Sequence, residues 1–110
     1  MAGPASAALI LEGLIFLTDQ LWKINEKLEP AYFARGTLYG SSGELELAVR
    51  DLSTAIKLAP NVAKNYNNRA WIYQMLGDRE KAIDDLRKSI ELDPANRTVI
   101  ENMKLLKVQP

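Results

Sequence analysis

Four charged residues at a regular spacing are the best candidates for chemistry in this sequence. Arg35 and Arg69 interrupt apolar helical faces, and each precedes an aspartate, Asp51 or Asp85, by the same distance along the chain. If the two members of each pair lie on facing helices, their guanidinium and carboxylate groups can form an ion pair within the chain. The alternative interpretation is that the two arginines recognise an anionic ligand. We expect the ion pairs.

The remaining polar residues do not form a catalytic pattern. The chain has no His and no Cys, which excludes His general bases, His metal ligands and thiolate nucleophiles. Most carboxylates, such as Asp78 and Glu80, occur beside Lys or Arg at helical spacing, as is typical of a solvated helix face. Gly36, Gly40 and Gly43 are spaced too irregularly for a phosphate-binding loop. We therefore expect no enzyme activity, no bound metal and no cofactor.

The composition restricts the classes of partner. The 110 residues suit one domain, and 14 basic side chains balance 14 acidic ones. Proteins that bind nucleic acids usually carry a basic excess, so we expect no nucleic-acid partner. The apolar run over 7–17 contains Glu12 and is shorter than a membrane span, and no basic segment of a signal peptide precedes it. These features predict a cytoplasmic protein without a membrane-spanning helix.

The arginine–aspartate pairs belong to an internal repeat, whose length is the distance from Tyr32 to Tyr66. The stretch over 66–96 predicts two amphipathic helices, separated by Gly77-Asp78 and ended by Pro94. The same arrangement occurs one repeat earlier, and the residue pairs at this offset include Tyr32/Tyr66, Tyr39/Tyr73, Gly43/Gly77, Ala48/Ala82, Leu52/Leu86 and Pro60/Pro94. The repeat therefore predicts two helical hairpins, each with its charged pair between the two helices.

A helix–turn–helix unit of this length resembles the tetratricopeptide repeat family. The resemblance depends on Tyr32, Gly36, Tyr39, Gly43, Ala48, Leu52, Ala55 and Pro60, and then on Tyr66, Ala70, Tyr73, Gly77, Ala82, Leu86, Ser89 and Pro94. It covers about three-fifths of the chain. It implies an all-α solenoid built from stacked helical hairpins.

The periodicity predicts about six helices and no strand. The helices of the repeats are expected over about 30–41, 44–58, 62–76 and 78–92. A long helix over about 6–28, with Ser6 as its N-cap, precedes them, and a capping helix that begins after Asn96 follows them. We therefore divide the chain into an N-terminal helix (1–28) and a repeat region (29–110). The repeat region contains repeats at about 29–62 and 63–96 and a capping helix over 97–108.

The N-terminal helix carries a heptad seam that includes Leu14, Leu17 and Leu21. One interpretation is that this helix caps the first repeat and covers its open flank. A second, compatible with the first, is that its outer face pairs with a second copy of the chain through these three leucines. A third is binding to a membrane surface, which the mixed charges of the polar face disfavour.

The resemblance implies that the concave face, formed by the first helix of each repeat, binds peptides. The matching positions are Phe33, Thr37, Gly40 and Ser41 in the first repeat and Asn67, Asn68, Trp71, Gln74 and Met75 in the second. Aromatic and thioether side chains such as Phe33, Trp71 and Met75 are typical anchors of interfaces. The alternative is that the flanking helices of the same chain cover them.

One subgroup of the family grips the C-terminal carboxylate of chaperone tails with Lys and Asn side chains. Asn68 matches one of these positions, but Phe33 and Thr37 stand where the subgroup has its first Lys and Asn, so the resemblance does not extend to this clamp. We expect a non-catalytic interaction module that binds a peptide or protein segment on its concave face. The alternative is a structural self-assembly module that homodimerises, or docks into a larger complex, through the N-terminal helix.

Overall fold

A computed structural model describes the backbone of residues 4–24 and 28–108 and the side chains of residues 9–20 and 28–108. The described residues form six helices and no strand, which confirms the predicted all-α fold. The helices are α1 (Pro4–Ile24), α2 (Glu29–Ser41), α3 (Leu45–Leu58), α4 (Ala63–Leu76), α5 (Arg79–Leu92) and α6 (Arg97–Leu105).

The helices form two hairpins with one further helix on each side. α2 packs against α3 and α4 packs against α5, as expected for helices joined by short turns. The hairpins stack through α3 and α4, while α1 packs on α2 and α6 packs on α5. α2 also contacts α4 directly. The first helices of the two hairpins therefore lie side by side on the same face of the array.

Both hairpin turns contain a glycine in the left-handed backbone region. Gly43 has φ +86° and Gly77 has φ +81°, a conformation that costs other residues about 1–2 kcal/mol. Gly77 ends α4, and the side chain of the next residue, Asp78, accepts a hydrogen bond of 3.1 Å from the Lys81 amide at the start of α5. The turn and the N-cap together fix where each helix of the second hairpin ends or begins.

The core consists of two clusters, each of which joins a hairpin to the first helix that follows it. One cluster contains Ala48 and Leu52 of α3 and Ile72 of α4. The other is formed by α4, α5 and α6, and its buried residues are Ala70, Ala82, Leu86, Val99 and Met103. Because part of this burial comes from the neighbouring unit, each repeat gains stability through its interface with the next helix.

The bounds of α1 differ from those predicted. The helix begins at Pro4, not after a cap at Ser6, and proline is well tolerated in the first turn because its missing N–H would be unpaired there. The predicted end at Leu28 is also wrong, since Leu28 has an extended backbone and is the N-cap of α2. Pro30, in the first turn of α2, favours a new helix start at this point. Residues 25–27 lie outside the described part.

The last helix is shorter than predicted. α6 ends at Leu105, and Lys107, predicted to be helical, has φ +58° in the left-handed region. Its predicted start is confirmed, because the Oδ1 atom of Asn96 accepts a hydrogen bond of 3.3 Å from the Val99 amide. The four helices of the hairpins begin within one residue of their predicted starts.

Candidate functional site

Each hairpin contains the predicted arginine–aspartate ion pair. In the first, Nε and Nη2 of Arg35 donate to the Asp51 carboxylate at 2.7 and 2.9 Å. In the second, Nε and Nη2 of Arg69 donate to Asp85, both at 2.7 Å. All four side chains are largely buried, and this two-bond geometry is the strong form of the interaction. Both guanidinium groups are therefore bound within the chain, and the ion pairs are confirmed.

The arginines also connect each hairpin to the helix before it. Nη1 of Arg35 donates to Asp19 on α1, and Nη1 of Arg69 donates to Ser53 on α3 at 3.1 Å. Each guanidinium lies over a tyrosine ring one turn further along its helix, 5.5 Å from the centre of Tyr39 in the first repeat and 5.6 Å from that of Tyr73 in the second. The same three contacts thus recur in both repeats.

The surroundings of both arginines stabilise their charged forms. Burial lowers the pKa of Arg35, but the hydrogen bonds to Asp51 and the charges of Asp51 and Asp19 raise it above its ordinary value. For Arg69, the hydrogen bonds to Asp85 raise the pKa, and burial opposes them. Because the pKa of each arginine is higher in the folded state than in the unfolded state, its charge stabilises the fold. This stabilisation is complete below the unfolded-state pKa and is lost only as the pH rises through the folded-state pKa. Both arginines therefore stay charged at neutral pH.

Trp71 is the largest exposed side chain on the face shared by α2 and α4. Its side chain is 44% exposed. A Cβ atom built at Gly40 would lie 3.3 Å from Cζ3 of Trp71 and 2.4 Å from Cδ1 of Ile72. The missing side chain at Gly40 therefore lets α4 approach α2, and one edge of the indole lies against the backbone of α2.

Met75 extends this apolar surface by one helical turn. It follows Trp71 by one turn on the same side of α4 and is 43% exposed. Gln74 is half-buried and Ser41 is exposed. Trp71 and Met75 together form an apolar surface with a rigid and a flexible part.

The other predicted groove residues are less exposed. Phe33 is half-buried against the cluster of α3 and α4, and Nζ of Lys64 lies 4.4 Å from the centre of its ring. The amide of Asn68 donates to Oγ1 of Thr37 at 3.2 Å, which links α4 to α2. Among the described residues, none donates a hydrogen bond to the buried Oδ1 of Asn67. The first-repeat end of this face is therefore partly covered by the chain itself.

Several contacts near this face were missed in the sequence, although repeat spacing could have found most of them. Asp19 and Ser53 precede Arg35 and Arg69 by the same distance at which Asp51 and Asp85 follow these arginines. Leu105 lies one repeat length after Trp71 and is 80% exposed on α6, so by register it extends the same face. Nothing in the spacing indicated that Lys64 covers Phe33.

Two of the three predicted self-association residues lie on the outer side of α1. Leu14 and Leu17 are exposed, as are Leu9 and Phe16. Leu21 belongs to α1, but its side chain lies outside the described residues. On the other side of α1, a cleft of about 340 Å³ faces the first repeat and is lined by Glu12, Ile15, Tyr39 and others.

Comparison with protein-family models identifies the repeat. Two models, each described as tetratricopeptide repeat, match residues 29–62 and 63–96, which together make up more than half of the chain. The chain belongs to the tetratricopeptide repeat family. The resemblance predicted from the sequence is therefore confirmed, with two repeats. Proteins of this family are generally non-catalytic interaction modules.

Solved tetratricopeptide repeat structures share the fold. The Arabidopsis OM64 TPR domain has a TM-score of 0.85 and 20% identity, over 94% of this chain and 85% of that one. The first TPR of Spaghetti (RPAP3), bound to the HSP90 peptide SRMEEVD, has a TM-score of 0.81 and 19% identity, over 84% of this chain and 74% of that one. YrrB, a TPR protein with an unusual peptide-binding site, has a TM-score of 0.79 and 24% identity. The match covers 89% of this chain and 48% of YrrB, so this chain spans about half the length of YrrB.

No curated protein matches the sequence. Within the described residues of this tetratricopeptide repeat chain, no group of three or more acidic residues is placed to hold a metal ion. None of the described helices combines the length and apolar character needed to cross a membrane.

Proposed function

We propose that this chain binds a segment of another protein on the face formed by α2, α4 and α6. Its two tetratricopeptide repeats make it a protein-interaction scaffold. The single observation that carries the proposal is the exposed Trp71, which lies against α2 on the side where the first helices meet. A large aromatic side chain that remains accessible at the centre of such a face is a typical binding anchor.

The ligand that this face fits best is an uncharged segment with apolar side chains. Trp71 would contact one apolar side chain of the ligand. Met75 and Leu105 would contact the neighbouring side chains of the ligand, and the flexible thioether of Met75 can adjust to their shape. The predicted contact positions of α2 and α4 carry no charge, and the two arginines are bound within the hairpins. The ammonium group of Lys64 lies over the ring of Phe33.

The proposed ligand differs from the chaperone tail bound by one neighbour. The first TPR of RPAP3 is bound to an HSP90 peptide. Here Phe33 and Thr37 stand where the carboxylate-gripping subgroup has Lys and Asn, and Asn68 already donates to Thr37. We therefore propose that this chain does not depend on a terminal carboxylate in its ligand. A cytoplasmic location and the absence of a nucleic-acid partner stay predictions.

The proposal is tested with a peptide selected on the wild-type protein from a displayed library of random sequences. We expect Trp71→Ala to weaken the binding of this peptide by about tenfold or more, because a central aromatic anchor commonly contributes more than about 1.4 kcal/mol. Leu58→Ala is the matched control, since Leu58 is 37% exposed but lies at the end of α3. The dissociation constants are measured by titration calorimetry, and circular dichroism checks that both variants are folded.

Two outcomes would contradict the proposal. The first is equal affinity of the wild type and Trp71→Ala. The second is a peptide whose binding is weakened by Leu17→Glu on α1 and not by Trp71→Ala, which would place the interaction on the other surface.

A second candidate function is self-assembly through α1. The observation that favours it is the exposure of Leu14 and Leu17, two large apolar side chains of one helical face. The two candidates concern different surfaces of the molecule and are compatible with one another.

A further inference from the structure

α1 occupies the position of the second helix of a hairpin. The Arg35–Asp19 contact between α2 and α1 has the same spacing as the Arg69–Ser53 contact between α4 and α3. Thr18 of α1 is buried, as is Leu52, its counterpart one repeat later in α3. α1 therefore packs on α2 in the same register in which α3 packs on α4.

The face of α1 that points away from α2 has no covering helix among the described residues. In α3 the residues on the corresponding face are Ala48 and Asp51, which are 0% and 1% exposed, and Asp51 is bound by Arg35 of α2. Their counterparts in α1, one repeat earlier, are Leu14 and Leu17, and these are 43% and 59% exposed. This face is thus the side on which the first helix of a hairpin would lie.

The residues on this face of α1 favour an apolar helix as the element that packs on it. Leu17 stands where α3 and α5 have the aspartates that bind Arg35 and Arg69. An occupant therefore needs no arginine there. Gly13 lies beside these leucines, and among the described residues no heavy atom beyond its chain neighbours and its own helix backbone comes within 4 Å of the Cβ position built on it. A second helix backbone could approach closely at this point.

The outer face of α1 also complements itself. The exposed Ile10, Leu14 and Leu17 recur at alternating steps of four and three, which is the pattern of helices that pair lengthwise. Among the described side chains of α1, the charged ones point elsewhere, because Glu12 lines the cleft toward the first repeat and Asp19 binds Arg35. Two copies of this face can therefore meet without bringing like charges together.

Building on the self-assembly candidate, we propose that α1 of a second copy, running antiparallel, covers this face. Each α1 then takes the position that the first helix of a hairpin would have beside the other, in the antiparallel arrangement of the α2–α3 hairpin, which also aligns the helix dipoles favourably. The contact is two-fold symmetric, with the axis close to Leu14.

The absence of cysteine from the chain allows a clean test of this arrangement. Single cysteines are introduced as Leu14→Cys and Leu9→Cys, with Leu105→Cys on the exposed end of α6 as the control for random collisions. Near the axis, two Leu14→Cys residues can form a disulfide, so most of this variant should oxidise to a covalent dimer. Two Leu9→Cys residues are on the order of 15 Å apart along antiparallel helices, beyond disulfide reach, so this variant and the control should stay uncrosslinked.

Light scattering gives the second measurement. The wild type should have twice the chain mass of 12.3 kDa, and Leu17→Glu should halve the observed mass while circular dichroism remains helical. A monomeric wild type would overturn both the self-assembly candidate and this placement, while the Trp71 proposal would stand. A dimer that survives Leu17→Glu and is not cross-linked through Leu14→Cys would overturn the placement alone. Cross-linking of both Leu14→Cys and Leu9→Cys would overturn the antiparallel direction.

Discussion

Arg35 and Arg69 place a charged group at the junction of three helices. Each guanidinium binds the aspartate of its own hairpin and a side chain of the preceding helix, and it lies over a tyrosine of its own helix. A buried pair of this kind contributes little net stability compared with an apolar pair, but the removal of one partner leaves a charge without compensation. These residues therefore fix the register of the helices more than they add stability.

A first prediction concerns the second ion pair. Arg69→Met should lower the free energy of unfolding by about 3 kcal/mol, because it leaves the buried Asp85 carboxylate unpaired. Arg69→Met combined with Asp85→Leu should recover most of this loss, since no buried charge remains. Urea denaturation followed by circular dichroism measures both variants.

The control for this pair is an exposed one. Lys81 and Asp78 approach to 3.7 Å on the surface of α5, so Lys81→Met should change the free energy of unfolding by less than about 1 kcal/mol. The interpretation of Arg69 would be wrong if Arg69→Met had an effect as small as Lys81→Met, or if the double variant were less stable than the single one.

The arginine–aspartate ion pairs were predicted from the sequence, but other side-chain contacts nearby were not. The constant spacing placed each arginine opposite its aspartate because both repeats share one hairpin geometry. Asp19 was not recognised, because its counterpart one repeat later is Ser53, so the spacing recurs but the residue type does not. The position of Lys64 over Phe33 depends on how a flexible side chain packs between two hairpins, which spacing alone does not determine.

At the scale of the helices, a glycine within α2 allows the two helices of the first hairpin to pack closely. A Cβ atom at Gly36 would lie 3.0 Å from Cγ of Leu52, 3.1 Å from Cβ of Asp51 and 3.2 Å from the Leu52 backbone nitrogen. The second repeat has Ala70 at the same position. The sequence pattern accepts either residue, so it did not indicate that α2 approaches α3 this closely.

The close contacts around Gly36 predict that a larger residue at this position lowers the stability of the protein. Gly36→Ala should destabilise the protein by about 1–2 kcal/mol, because the added methyl group meets a buried side chain and a backbone atom. A more stable Gly36→Ala variant in thermal unfolding would show that the hairpin is not closely packed there.

The bounds of the helices were predicted best where turn residues are decisive. Gly77 with Asp78, and Asn96 at the start of α6, fixed helix ends through their own backbone or side-chain geometry. Leu28 was predicted as the last residue of α1 but is not helical, because an apolar periodicity shows which face is buried and not where the chain leaves the helix. Leu28 instead has an extended backbone as the N-cap of α2, and Pro30 in the first turn of α2 favours a helix start there.

At the scale of the molecule, the described residues form two exposed apolar surfaces. One is the face with Trp71 and Met75, and the other is the outer face of α1 with Leu14 and Leu17. The sequence predicted both sets of residues, the first through the family resemblance and the second through the heptad seam. It could not predict how far the chain covers its own groove, because that depends on contacts between side chains of different repeats, such as Asn68 with Thr37.

The most direct test of the proposed interaction face is a titration of ¹⁵N-labelled protein with the selected peptide, followed by NMR. The chain has two tryptophans, Trp22 and Trp71, so two indole N–H signals are expected, and a Trp71→Phe variant assigns them. We predict that the Trp71 indole signal and the Met75 amide shift on binding, because the peptide covers both side chains. A saturating titration in which the Trp71 signal stays in place while amides of α1 shift would contradict the account.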